Sequence, residues 1–259
     1  MDLTENYKSH VKSLTRAMHL LITLADAERE LSLTELAETL KWPKSTVHGI
    51  LATLRDYRFV EQSAANGRYR LGVRLFELGH KAVRSWGIRE VAVPVMQKLN
   101  AKLGDMVQLA MEDSGEVFYL EKIDSTHIIR IVSEIGKRLP MHCSGLGKVL
   151  LAYRPASEAR KILSRSGMRK ITNNTITDPY QMENELAKIR LHGYAVDNQE
   201  IMDGLRCVAA PIRDKSKEVR YAISVAGLAE RMTGAYFESV KKAVVEAAAE
   251  ISHNLGYRN

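Results

Sequence analysis

Residues 33–54, LTELAETLKWPKSTVHGILATL, hold two short apolar stripes at helical spacing, broken at Lys41-Trp42-Pro43. Leu33, Leu36, Ala37 and Leu40 make the first stripe; Val47, Ile50, Leu51 and Leu54 make the second. Ser32-Leu33-Thr34-Glu35 has the form of a capping box, in which the hydroxyl accepts from a first-turn amide and the Glu reaches back to the cap. Pro43 suits the first turn of the helix that follows, where its missing N–H would have had no partner. Upstream, residues 13–25 place Leu14, Ala17, Met18, Leu21, Ile22 and Ala25 on the expected buried stripe of a preceding helix.

The helix after Pro43 has a second face of small and polar groups. Ser45, Gly49, Ala52 and Asp56 lie opposite the apolar stripe, with His48 and Thr53 flanking them and Lys44 and Arg55 at an edge. Such a face fits a DNA major groove, and the amides beside Lys44, Ser45 and Thr46 suit a phosphate. An ordinary core helix also has a polar outer face, so the neighbouring segment decides. FVEQSAANGRYRLG, residues 59–72, reads as strand, tight Asn66-Gly67 turn and strand, with Arg68 and Arg70 on the second arm. Three helices followed by a basic hairpin form a winged helix-turn-helix pattern. Charge agrees: of the net +7, residues 41–90 carry 10 Lys+Arg against 4 Asp+Glu, and the remainder is nearly balanced at 28 against 27. A clustered positive potential is the electrostatic footprint of a polyanion binder.

At 259 residues the chain has room for two domains. Its polar N-terminus and the lack of any long apolar run point to a cytoplasmic protein with no membrane partner. Cys143 and Cys207 match no zinc or disulfide spacing, and no nucleotide loop is present, so no metal or cofactor is expected. Residues 73–103 read as one helix to about 85 and a second after Gly87, kinked or begun by Pro94. Leu75, Phe76, Leu78, Val83 and Trp86 are candidates for a dimer seam or for burial within one chain. Beyond Gly104 the period becomes two. DMVQLAMEDSGEVFYLEKID is a hairpin around Asp113-Ser114-Gly115, and THIIRIVSEIG a third strand. Helices are expected over 147–153, 157–165 and 179–191, two strands around the Asp214–Lys217 turn, and a closing helix with Val240, Ala243, Val244, Ala247, Ala248, Ile251 and Leu255 on one face. This is an α+β domain with a mainly antiparallel sheet.

The chain resembles the IclR family of bacterial transcription regulators. SLTRAMHLL, the helix-turn-helix stretch and RYRLGVRLFELG follow that family's order, as do MHCSGLGKVLLA (141–152), TITD (175–178) and GYAVDNQEIMDGLRCVAAPI (193–212). Within the family's C-terminal pattern Gly193, Asp197, Glu200, Cys207, Val208, Ala209, Ile212 and Asp214 match, and Arg213 departs. The resemblance implies a winged helix-turn-helix over 10–73, a helical linker over 74–88 and a GAF-like effector-binding domain over 89–259. It implies a ligand-responsive regulator, a repressor in our reading, that binds double-stranded operator DNA as a homodimer or a dimer of dimers. Carried over by position, Gly145 and Leu146 would offer backbone amides to a small organic acid, with Asp197, Cys207 and Ser224 as polar contacts. Ala226 stands where a second Ser is frequent and Leu146 where Ala is common, which counts against a glyoxylate- or pyruvate-sized effector. Gly49 stands where the family commonly has Arg. Each residue also has a plainer reading: Cys207 as a small core residue, Ser224 as sheet packing. Asp197 is harder to dismiss, because an unpaired buried carboxylate is costly. His142 and Cys143, on an apparently extended segment, should point oppositely and so not share a ligand or metal. Two other functions compete: a Cys-dependent enzyme, and a GAF-type module that binds protein.

Overall fold

The computed structural model describes residues 11–85, 87–127 and 134–258. The chain divides into two compact units, one ending at residue 86 and the other beginning at residue 87. No helix among the described residues is long and apolar enough to cross a membrane.

The first unit contains α1 (Lys12–Asp26), α2 (Leu33–Leu40), α3 (Lys44–Asp56), β1 (Val60–Gln62), β2 (Tyr69–Leu71) and α4 (Val73–Ser85). The capping box forms: Glu35 N–H donates to Ser32 Oγ at 3.2 Å, and Ser32 N–H donates to Glu35 Oε2 at 2.7 Å. Lys41 closes α2 in the left-handed region, with φ at 55°. Pro43 is the residue before α3, one place earlier than its sequence position predicts. Leu36, Val47, Leu51, Val60 and Tyr69 pack with Leu20 and Leu24 in one core. That core shifts the expected face of α1: Ala17 and Leu21 of the expected stripe do pack against it. Leu14, Met18 and Ile22 are exposed, and the buried side is the one carrying Leu20 and Leu24. α1 bears apolar groups over more than half its circumference, so periodicity alone could not choose between faces.

The hairpin also differs from a two-residue turn. β1 and β2 pair antiparallel, with Val60 opposite Leu71 and Gln62 opposite Tyr69, across a loop of residues 63–68. Gly67 has a positive φ of 69°, and Asn66 does not share that region. Asn66 instead accepts from Arg68 N–H at 2.9 Å and donates to Glu30 at 3.0 Å. Side-chain hydrogen bonds thus shape this loop where backbone handedness was expected to do so.

The second unit opens with α5 (Ile88–Leu103), which starts at Ile88 and runs through Pro94. β3 (Met106–Asp113) and β4 (Glu116–Ile123) form the expected hairpin, with Ser114 and Gly115 both at positive φ. Residues 128–133 of the expected third strand lie outside the described residues. The next described strand is β5 (Arg138–Pro140). There follow α6 (Gly145–Ala152), α7 (Ala156–Ser166), α8 (Pro179–His192), β6 (Ala195–Asn198), β7 (Leu205–Arg213), β8 (Val219–Leu228) and α9 (Gly234–Asn254). The six strands are ordered β5-β4-β3-β8-β7-β6, and every pair is antiparallel. Val107, Leu109, Val208, Ala210 and Ile223 face α5 and α9; Ala110, Tyr119, Ala209 and Ala222 face α6 and α8. Both faces are covered, so β7 and β8 read as nearly continuous apolar runs.

Two close approaches fix this architecture. A Cβ on Gly72 would lie 2.2 Å from the Arg58 carbonyl oxygen, and one on Gly147 would lie 2.3 Å from that of Met141. Gly72→Ala and Gly147→Ala should each cost about 1–3 kcal/mol, as overpacked sites do. Gly49→Ala meets no atom within 4 Å and should gain up to about 1 kcal/mol in helix propensity. Thermal unfolding followed by circular dichroism checks all three; an unchanged midpoint for Gly147→Ala would show that the α6 approach is looser than described.

Candidate nucleic-acid interface and ligand cavity

Val47, Leu51 and Leu54 anchor α3 to the first unit's core, which turns the opposite side outward. Lys44, Ser45, His48, Gly49 and Thr53 are exposed, and Thr46 is half-buried. Gly49 lies at the centre of this open surface. Thr46 N–H donates to the Pro43 carbonyl at 3.0 Å, so this amide is already engaged. Thr53 Oγ1 donates back to the Gly49 carbonyl at 3.1 Å, which covers the backbone where glycine provides no side chain.

The two arginines of the hairpin are not free cations. Arg68 Nη1 donates to Glu35 Oε2 at 2.9 Å and to the Glu30 carbonyl at 3.1 Å. It thereby fastens the hairpin to the capping box of α2. Arg70 pairs with Glu61 at 3.1 Å and with Glu30 at 3.5 Å. Among the described residues, Lys41, Lys44, Arg55 and Arg58 have no carboxylate partner, and they sit near the two ends of α3. Positive potential therefore gathers on the helix and its flanks more than on the hairpin.

In the second unit, five residues carried over by position come together. Gly145, Leu146, Asp197, Cys207 and Ser224 all line one cavity of about 120 Å³. Strand register explains why. Asp197 pairs with Cys207, Cys207 with Ala226, and Ala209 with Ser224, so alternate residues of β6, β7 and β8 reach the same face. α6 begins at Gly145, two residues earlier than its apolar pattern predicts, because Ser144 caps it by accepting from Gly147 N–H at 3.1 Å. Lys148 N–H donates to the Ser144 carbonyl. The Gly145 and Leu146 amides at the open end of this helix have no acceptor among the described residues. Both residues are buried and line the cavity, and free first-turn amides are the kind of group that accepts an anion.

Sequence reasoning missed the rest of the lining. Met106, Gln108, Tyr119, Leu139, Ile201 and Leu205 add a mostly apolar wall, and Lys137 and Glu134, paired with each other at 3.0 Å, also line the cavity. Gln108 Oε1 accepts from Ser224 Oγ at 3.2 Å across the β3–β8 pair. β6, which carries Asp197, is a four-residue strand at the sheet edge, too short for its sequence to show an alternating pattern.

Behind the cavity lies a buried charge cluster. Lys148 Nζ, 1% exposed, donates to Glu200 Oε1 at 2.5 Å, to the Val196 carbonyl at 2.7 Å and to Glu185 Oε1 at 3.2 Å. Asp197 Oδ1 accepts from Glu200 N–H at 2.7 Å. Burial pushes the Asp197 carboxyl up to about 7, reinforced by the like charge of Glu200. Burial also raises Glu200, against the pull of Lys148.

The cysteines carry no activated nucleophile. Burial pushes the Cys143 thiol up to about 12 and raises Cys207 well above its ordinary value. A raised pKa leaves the unreactive thiol form. His142 and Cys143 lie in a turn, not on an extended segment, because the chain reverses there into α6. His142 Nε2 meets the Arg169 carbonyl at 3.0 Å, which leaves it no part in the cavity.

Asp197 has a folded-state pKa above its unfolded one. Its ionised form therefore opposes folding, by about 1.4 kcal/mol for each pH unit between the ordinary carboxyl range and 7. Asp197→Asn should raise the unfolding midpoint at pH 8, with the gain shrinking toward pH 4. A gain independent of pH would contradict the buried ionisation.

Comparison with known proteins agrees with both halves. The IclR helix-turn-helix domain family matches residues 13–64, and the bacterial transcriptional regulator IclR C-terminal family matches residues 80–253. The transcriptional repressor IclR of Escherichia coli K12 is 34% identical over 244 residues, spanning 93% of this chain and 89% of its own length. The regulator KdgR of Dickeya chrysanthemi is 34% identical over 254 residues, 96% of this chain and 81% of its own. The crystal structure of Thermotoga maritima IclR superposes with a TM-score of 0.81 at 31% identity, over 96% of this chain and all of that one. An IclR homologue from Microbacterium hydrocarbonoxydans, crystallised with 4-hydroxybenzoate, gives 0.84 at 26% identity over 94% of this chain and 99% of that one. With a DNA-binding half and an effector-domain half each matched to its own family, the chain belongs to the IclR family of bacterial transcription regulators.

Proposed function

We propose that this regulator is a repressor that binds operator DNA as a homodimer and changes its affinity when a small organic acid enters the cavity of its second unit. The observation that carries the reading is that Gly145 and Leu146, whose amides have no acceptor among the described residues, both line this cavity at the start of α6. A carboxylate satisfies both donors at a helix N-terminus. The rest of the wall, with Met106, Leu146, Ile201, Leu205 and Ala226, favours an apolar body over a polyhydroxylated one. An apolar cavity of roughly 150 Å³ accommodates benzene. A volume near 120 Å³ therefore fits a body of about that size or slightly less, smaller than the 4-hydroxybenzoate with which the structural relative was crystallised.

On the DNA side, Lys44, Ser45, His48, Gly49 and Thr53 present the reading face, and the cations at the ends of α3 supply phosphate contacts. Arg68 acts through the fold, by holding the hairpin in place. Two copies join through surfaces the single chain leaves bare: Leu14, Met18 and Ile22 on α1, and Phe76 and Leu78 on α4, with Phe76 74% exposed. An acid shifts the operator equilibrium only by its differential affinity for the two dimer arrangements.

Duplex fragments from the protein's own promoter, titrated at several salt concentrations with and without a panel of monocarboxylates, test the proposal. We expect binding that weakens steeply with salt and at least one acid that moves the operator affinity severalfold. Absence of DNA binding at low ionic strength, with and without every acid, would refute it. Gly49→Arg should alter the consensus recovered in binding-site selection, because the new side chain enters open space and leaves the core undisturbed. An identical consensus would remove Gly49 from the reading face.

A further inference from the structure

Asp197 forms part of the cavity wall and is 1% exposed. The charges around it are unbalanced. Glu200, from the loop after β6, donates its N–H to Asp197 and keeps its own carboxylate nearby, with Oε2 lacking a hydrogen-bond partner. Lys148 of α6 is the one cation in this cluster among the described residues, and it is already held by Glu200 and by Glu185 of α8. Cys207 of β7, Cys143 of the turn before α6 and Tyr119 of β4 face the same carboxyl, and burial raises the pKa of all three, so each is neutral near pH 7. When Asp197 is ionised, three carboxylates share one ammonium. A ligand carboxylate docked on the Gly145 and Leu146 amides brings a fourth close to this cluster, while Lys137 and Glu134, which also line the cavity, pair with each other at 3.0 Å and add no net charge. Neutralising Asp197 relieves the conflict, and its carboxyl is poised to accept a proton.

Resting on the proposed acid-binding role of this cavity, we infer that the carboxylate ligand enters together with one proton, which Asp197 takes up from solvent. The protein therefore holds its effector more tightly as the medium acidifies. The balance is one proton gained by Asp197 for each ligand anion bound; no other bond changes. A protonated Asp197 also gains an O–H donor, which a hydroxyl, carbonyl or second oxygen of the ligand can accept. The regulator then responds to acid concentration and to intracellular pH through one side chain.

Linkage sets the size of the effect. Above the pKa of the free cavity, affinity falls up to about tenfold per pH unit for a one-proton uptake. The test is isothermal titration calorimetry of the full chain with benzoate, 4-hydroxybenzoate, isovalerate and 2-oxobutanoate, all ionised throughout, at pH 6 and pH 8. Each titration is repeated in phosphate and in Tris, whose ionisation heats differ. The expected result is dissociation about tenfold weaker at pH 8, with close to one proton absorbed per ligand there and the pH difference abolished in Asp197→Asn. Equal affinity at both pH values with no buffer dependence overturns the proton coupling and leaves the acid-binding role standing. Binding by none of the four acids overturns that role and the coupling with it. If Asp197→Asn fails to fold, the buffer comparison on the native chain still decides.

Discussion

Lys148 is an ammonium with almost no solvent contact, in the middle of a helix whose other side chains are apolar. It is tolerable only because three oxygens from different elements converge on it: Val196 of β6, Glu200 of the following loop and Glu185 of α8. A buried pair of this kind adds little net stability over an apolar replacement, yet removing one partner costs about 3–5 kcal/mol. Its contribution is therefore to geometry. It ties the edge strand β6 and the loop after it to the first turn of α6, which brings Asp197 to the same cavity as the Gly145 and Leu146 amides. The chemistry of that cavity follows from this one constraint.

The same constraint sets what the cavity can accept. The ammonium is consumed by its own carboxylates, so it offers a ligand no free positive charge. On the proposed reading, attraction for an anion comes from backbone amides and from the suppression of negative charge on Asp197, since Lys137 at the cavity is itself paired with Glu134. A site built this way selects for size and shape of the apolar body and uses few directional contacts. Leu146 and Ala226, in place of smaller and hydroxylated residues, push it further in that direction.

Much of the fold was legible in the sequence because local signals agreed there. The capping box at Ser32, the break before Pro43, Asp178 followed by Pro179, and the Ser114-Gly115 turn each specify local geometry independent of tertiary context. The five cavity residues were placed by family position, and nothing in their spacing alone would have assembled them. Register brought them together, and register depends on long-range pairing that no local window contains. Gln108 and Tyr119 were missed for this reason, since they enter from the other half of the sheet. Lys148 could have been found. A lysine inside GLGKVLLA breaks an otherwise apolar helix and demands a buried partner.

The hairpin and the first helix went astray for a common cause. Sequence pattern identifies which groups share a side, but it does not identify what that side meets. Arg68 and Arg70 had the spacing of a basic recognition arm, yet carboxylates from α2, its approach and β1 neutralise them. Leu14, Met18 and Ile22 had the spacing of a core stripe, yet the core closes over Leu20 and Leu24 beside them. A helix that serves two apolar surfaces shows one broad stripe in its sequence. Within a single chain that surplus looks like an error of design. The proposed pairing of two copies would account for it, because large exposed apolar groups clustered on one face mark a surface that something else covers.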